Sequence, residues 1–196
     1  MDEIKSAVEI AMEKAEKLGE ATDEERLGWK YVPEGRKLAV KYIKQGSNLV
    51  LELSKYQENI KKHIIQGAAE VLIGSISLPH NDIARKNNKR VMDGLKVIKS
   101  DKASVENVYS KIRRIFDHYT GQGEQQKSQA YQSLKADFEA KAQQALQQQP
   151  GSFMGAKIDV ERQPQFQEEW RKAQAQLDSQ YLALLSEYKQ ELSAIS

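Results

Sequence analysis

Residues 36–78 read RKLAVKYIKQGSNLVLELSKYQENIKKHIIQGAAEVLIGSISL, and this stretch decides the fold. Leu38, Tyr42, Gly46, Leu49, Leu53, Tyr56, Ile60, Ile64, Gly67, Val71, Gly74 and Leu78 recur at steps of three and four, the spacing of one buried helix face. A second set, Val50, Leu51, Ile65, Ala68, Ala69, Leu72, Ile73 and Ile76, widens that face, so the later part is expected to be the more buried. Pro33 and Pro79 bracket the stretch with no proline between them. Unbroken, its roughly 43 residues would reach about 64 Å at the helical rise. Gly46, Gly67 and Gly74 lie on the stripe, where each costs about 1 kcal/mol relative to alanine. Close approach of a neighbouring helix is the expected compensation. A break at Gly46-Ser47-Asn48, with Ser47 or Asn48 capping a second helix, is the competing possibility.

Toward the N-terminus, Ile4, Val8, Ala11, Ala15 and Leu18 predict a helix over 2–18 that stops at Gly19. Residues 20–35 read as a linker, with a turn over Thr22 to Leu27 capped by Thr22 or Asp23. Its Leu27, Trp29, Tyr31 and Val32 are too apolar for a free tether and are expected to lie on the bundle, Trp29 as the anchor. The segments Glu3-Ile4-Lys5, Glu13 to Gly19 and Glu34-Gly35-Arg36-Lys37-Leu38-Ala39 resemble uncharacterised bacterial helical proteins. In those, an acidic helix with a Lys-Leu-Gly stop leads into a Glu-Gly-Arg-Lys-Leu-Ala helix. The resemblance implies an all-helical protein and brings no activity with it.

Toward the C-terminus, Asn81 or Asp82 is placed to cap a helix running to about Ile98, its stripe made by Ile83, Val91, Leu95 and Ile98. Ser104 is placed to cap the next, over 104–119, and Gly121-Gln122-Gly123 to end it. Ten glutamines then fall in 122–149 and seven in 163–190, against three in the first 121 residues. Periodicity persists through this bias, so the region is not disordered by pattern. Tyr131, Leu134, Phe138, Ala142 and Ala145, like Trp170, Ala173, Leu177, Tyr181, Leu184, Tyr188, Leu192 and Ile195, keep an eleven-residue rhythm. That rhythm predicts two nearly straight antiparallel helices. The connection over 147–163 is unusually long, with Phe153, Met154, Ile158 and Val160 expected to dock, and Pro164 opens the last helix.

The expected fold is all-α, an elongated helical bundle of five or six helices with one very long central helix and a C-terminal helical hairpin. Residues 1–120 form the helical body, with the acidic N-terminal helix, the long helix 36–78 and basic helices 82–98 and 104–119. Residues 121–196 form the Gln-rich hairpin, packed on the same body.

Composition narrows the function. The absence of cysteine excludes disulfides, thiolate metal sites and cysteine nucleophiles, and fits a cytoplasmic protein. The opening is acidic and amphipathic, predicting no signal peptide, and the most apolar window, Val71 to Leu78, is far short of the roughly 20 residues a membrane span needs. The residues three before His63, His80 and His118 are Ile60, Ser77 and Ile115, so the Glu-x-x-His carboxylate-metal pattern is missing. No phosphate loop occurs, and neither an enzyme nor any cofactor is expected.

The net charge of +2 conceals a segregation, from −5 over 1–35 through +4 over 36–79 and +5 over 80–119 to −2 over 124–196. The basic middle concentrates in Arg85, Lys86, Lys89, Arg90, Lys111, Arg113 and Arg114, a candidate patch for nucleic acid or an acidic partner. Trp170, Leu177, Tyr181, Leu184 and Tyr188 form the candidate protein interface, because their stripe is larger than the alanine-rich face of 131–145 can cover. The expected function is a non-catalytic protein-interaction or assembly protein with a protein partner or self-association, a homodimer included. A nucleic-acid-associated protein using 85–114 is the alternative.

Overall fold

The computed structural model describes residues 22–147 and 159–195, and every regular element among them is helical. The helix expected over 2–18, with Ile4, Val8, Ala11, Ala15 and Leu18, and most of the 147–163 connection lie outside the described residues. The chain divides into two compact units, 1–72 and 73–196.

In the first unit, helix α1 spans Asp23–Gln45, α2 Leu49–Leu53 and α3 Glu58–Gly74, the last two residues of α3 belonging to the second unit. The expected linker is thus mostly helix. Thr22 and Glu25 close a capping box, the Thr22 hydroxyl accepting from the Glu25 amide at 3.2 Å and the Glu25 carboxylate from the Thr22 amide at 2.8 Å. Asp23, Glu24 and Glu25 place negative charge at the positive helix end. Pro33 lies inside α1, where its missing N–H removes one helical bond without ending the helix. Trp29 does not act as an anchor: at 68% exposure it points off the buried face carried by Gly35, Leu38 and Ala39.

The expected continuous helix over 36–78 breaks twice. Gly46 takes a left-handed conformation at φ 70° and donates to Tyr42 O, closing α1, and the Asn48 side chain caps α2 by accepting from Leu51 N at 3.2 Å. A turn over Ser54–Gln57 then leads into α3. Glu24 meets Lys62, and Arg36 meets Glu70 at 2.8 Å, so α1 and α3 run parallel, α2 lying in the return between them. They cross at two glycines. A Cβ on Gly35 would stand 2.0 Å from Ile64 O, and one on Gly67 2.0 Å from Val32 O. Close approach therefore explains Gly67, whereas Gly46 is a cap and Gly74 has nothing within 4 Å of where a Cβ would be. The later part of the stretch is the more buried, through His63, Ile64, Ala68, Ala69, Leu72 and Ile73.

In the second unit, α4 spans Asp82–Ile98 and α5 Lys102–His118. A π-turn follows over Tyr119–Gly123, then α6 over Glu124–Gln147, a 3₁₀ turn over Val160–Arg162 and α7 over Pro164–Ala194. Of the two candidate caps, Asn81 is the one that closes α4, accepting from Ala84 N at 2.8 Å. The buried face of α4 is Ala84, Asn88, Val91, Met92, Leu95 and Ile98; Ile83 is 79% exposed. Asn88, within the basic run of α4, is buried and clamps the loop before α4. Its amide donates to Ser77 O at 2.7 Å and its oxygen accepts from Ser77 N at 2.9 Å. Asp101, not Ser104, caps α5, because its carboxylate reaches both the amide and the hydroxyl of Ser104, at 3.0 and 2.6 Å.

The very long helix is real but lies elsewhere in the chain. Gly121-Gln122-Gly123 does not end α5: the π-turn carries the helical run on into α6, over 102–147, about 69 Å at helical rise. Helix α7 packs antiparallel along both halves, forming the expected hairpin with a longer first arm. Its end is fastened by two lysines on carbonyls: Lys189 donates to Gly74 O at 3.1 Å, and the buried Lys99 to Ile195 O. Burial holds both ammonium groups below their usual pKa.

Candidate interaction groove on the hairpin

The hairpin register follows from its cross-links. Lys111 pairs with Glu191 at 2.7 Å, His118 bonds Tyr181, Lys127 pairs with Asp178, and Tyr131 meets Trp170 edge-on with centroids 5.0 Å apart. Phe166 is buried between Tyr131 and Phe138, both edge-on to it at 5.6 and 5.4 Å, and Lys135 reaches Glu161 at 2.5 Å. Because α5 continues into α6, Ile112, Ile115 and Tyr119 line the hairpin opposite the last turns of α7, where Leu185 and Leu192 are buried. Much of the large stripe on α7 is thereby covered within the chain. Trp170, Leu177, Tyr181 and Tyr188 are half-buried, and Leu184 stays 43% exposed beside Leu182 at 51%.

A polar cluster sits at the π-turn. Tyr119 is 1% exposed, and Lys127 donates to its hydroxyl at 2.6 Å while meeting Asp178 Oδ1 at 2.9 Å. Tyr181 stands edge-on to Tyr119 at 5.1 Å, and its hydroxyl is 2.9 Å from His118 Nδ1. Gly123 leaves room for Tyr181, whose hydroxyl would lie 3.1 Å from a Cβ there. Single π-turns inside long helices recur at functional positions.

Burial raises the Tyr119 pKa, with Asp178 adding to the rise and Lys127 opposing it. Burial works against the charge on Lys127, but its bonds to Tyr119 and Asp178 prevail and leave its pKa raised. Both shifts favour the folded state below the ordinary values of 10.0 and 10.5, and both contributions fade as pH rises beyond them. These two groups should therefore make the hairpin's melting temperature fall above about pH 10, with the lowered pKa values of Lys99 and Lys189 opposing part of that fall. In Lys127→Met with Tyr119→Phe, which removes both titrating groups, that alkaline loss should shrink; an unchanged alkaline profile would refute the assignment.

The groove that borders this cluster is lined by Lys111, Arg114, Ile115, His118, Gln126, Gln180, Tyr181, Leu184 and Tyr188, with a volume of about 380 Å³. It joins two sets of residues that the sequence kept apart, the basic residues Lys111 and Arg114 and the apolar residues Tyr181, Leu184 and Tyr188. Lys111 also lies over the Tyr188 ring at 5.4 Å. Arg85, Lys89 and Arg113 line a different cleft, between α4 and α5, and Lys86 and Arg90 line neither. Arg85 pairs with Asp82 at 3.2 Å and Arg113 with Glu106. The seven cations thus do not share one cleft. Lys127, Asp178, His118 and Asn88 escaped the sequence because their partners lie far along the chain and no local spacing marks them.

Among the described residues, no three His, Asp or Glu side chains are grouped to hold a metal ion, and no helix is long and apolar enough to cross a membrane. A family model, DUF6657, a family of unknown function, matches residues 51–194. The chain belongs to this family. The DUF6657 match takes in the whole hairpin, the π-turn and both clefts and begins after α1, so the residues resembling bacterial helical proteins precede it. No curated protein and no solved structure matches the chain.

Proposed function

We propose that the chain is a non-catalytic protein-interaction module of the bacterial cytoplasm, whose hairpin groove receives a partner helix with an apolar face and acidic flanks. The observation that supports this most is the placing of Lys111 and Arg114 on the same groove as Ile115, Tyr181, Leu184 and Tyr188. Cations beside an apolar floor complement an amphipathic acidic helix. From Lys111 to Gln126 the groove follows about 22 Å of helix, room for roughly four turns of a partner. Self-association as a homodimer is the form of this function in which a second copy lays its exposed Leu182 and Leu184 on the groove.

Tagged full-length chain, used to capture proteins from nuclease-treated native lysate, tests the groove against Leu184→Asp and Arg114→Glu. Captured proteins should be lost from both variants. Capture unaffected by either substitution overturns the groove as the docking site, and sedimentation of the purified chain separates a second copy from a different partner.

One observation favours a nucleic-acid function instead: Tyr181 and Tyr188 supply, beside Lys111 and Arg114, the mixture of rings and cations that single-strand channels use. Against it, the candidate cations Arg85, Lys89 and Arg113 line the separate cleft between α4 and α5, which none of these rings lines. We expect only weak binding of single-stranded DNA or RNA at physiological salt. Sub-micromolar affinity that falls steeply with salt and is lost in Arg114→Glu would establish the nucleic-acid function over the protein one.

A further inference from the structure

The second cleft, between α4 and α5, has a chemistry of its own. Its floor is apolar, made by Pro79, Met92, Tyr109 and Phe116. The floor is also well fixed. Tyr109 is fully buried and donates to Met92 O at 2.8 Å, while Asn88 clamps the loop that brings Pro79 to one end. The volume is about 410 Å³, within the range of about 300–1,000 Å³ typical of small-ligand pockets.

The charges around this floor face each other across it. Tyr109 on Met92 and Glu106 with Lys96 fix α4 and α5 antiparallel, and the same register extended by a turn brings Lys89 level with Arg113. Arg113 is held by one end only: its Nη2 donates to Glu106 and, at 3.4 Å, to Ser110 Oγ. Its Nε and Nη1, and the Lys89 ammonium, have no hydrogen-bond or ion-pair partner among the described residues. An oriented guanidinium with donors to spare, opposite a lysine, is an arrangement that takes a carboxylate or another single anionic group. Asp93 and Asp117 also line the cleft, but Arg85, Lys89, Lys96 and Arg113 leave the lining net positive.

We propose that this cleft binds a small amphipathic organic anion, an acid group on an apolar body of roughly ten carbons, with the acid between Lys89 and Arg113 and the body over Met92 and Phe116, which the buried Tyr109 backs. The site is separate from the hairpin groove and does not depend on the function proposed for it.

Titration calorimetry of the full-length chain with decanoate, below its micellar concentration, tests the site. Decanoate should bind saturably with one site per chain. Decanol, which lacks the acid, and acetate, which lacks the body, should each bind at least about tenfold more weakly. The pair Lys89→Ala with Arg113→Gln should weaken decanoate at least about tenfold, whereas Arg114→Ala in the hairpin groove should leave it unchanged. Circular dichroism on the variants separates loss of the site from loss of the fold, and Lys89→Ala alone, at an exposed position, gives a second reading of the same effect. Absence of saturable decanoate binding, equal binding of decanol, or decanoate affinity unchanged in the double variant overturns the proposal.

Discussion

Gly67→Ala is expected to lower the stability of the α1–α3 pair by about 2–3 kcal/mol, a larger loss than most single methyl additions produce. A Cβ at that position would lie 2.0 Å from Val32 O, 2.9 Å from Val32 C and 3.1 Å from Arg36 N. Carbon and carbonyl oxygen do not normally approach closer than about 3.3 Å, so the helices must part by roughly an ångström. The obstacle is the backbone of a helix, which cannot swing aside as a side chain can. Alanine's better helix propensity returns about 1 kcal/mol, which the estimate includes. Gly35→Ala meets Ile64 O in the same way and should behave alike. Hydrogen exchange is the suitable measurement, because the chain has two units and need not unfold in one step. Protection of α1 and α3 amides should fall roughly 30- to 150-fold, a conversion of those energies at 1.4 kcal/mol per decade. Gly74→Ala, with nothing in the way, should be neutral or slightly stabilising. Wild-type protection in both crossing variants would show that the helices do not meet at these glycines.

Asp178→Ala should have the next largest effect, about 2 kcal/mol on the hairpin. It strips the closest carboxylate from Lys127, whose side chain is 11% exposed, leaving the Tyr119 hydroxyl and the more distant Glu124 at 3.7 Å. Breaking a fully buried pair from one side costs about 3–5 kcal/mol; the 27% exposure of Asp178 reduces that here. Replacing both partners, Lys127→Met with Asp178→Leu, should recover most of the loss, since no charge is then stranded. Chemical denaturation of the wild type, Lys127→Met, Asp178→Leu and the double variant completes a double-mutant cycle. Additive losses, with no recovery in the double variant, would mean that the pair does not act as a unit.

Helical periodicity carried the all-α fold into plain view, together with the antiparallel hairpin, and side-chain chemistry narrowed the cap of α4 to Asn81 or Asp82. Glycine was where local reading was least decisive. At Gly46 the break, held as the competing possibility, is the one that forms, whereas Gly121 and Gly123 looked like a stop and are carried through by a π-turn. Gly46 turns left-handed at φ 70°. At Gly123 the packing of Tyr119 and Tyr181 favours continuing the helix, and no local spacing records that contact. The choice between Leu184 and Leu185 failed for a related reason. Both lie one helical turn from Tyr181, at steps of three and four, and only the continued α5 arm decides that Leu185 goes inside. The groove itself was half legible. Its residues were singled out as two separate sets, but their meeting depends on a register between α5 and α7 that no local spacing records.

The same register sets an order of assembly. Lys135 and Glu161 are 26 residues apart in sequence, His118 and Tyr181 63, Lys111 and Glu191 80, and Lys99 and Ile195 96. Closing a longer loop costs more chain entropy, so the contacts nearest the 148–158 connection are the cheapest to make first, and each one shortens the loop left for the next. The hairpin is then expected to close like a zipper from its Phe166 end, drawing the π-turn shut midway and reaching the lysine latches on α7 last. A nascent chain leaving the ribosome would hold the entire 102–147 arm for some time without its cover, its apolar flank exposed until α7 arrives.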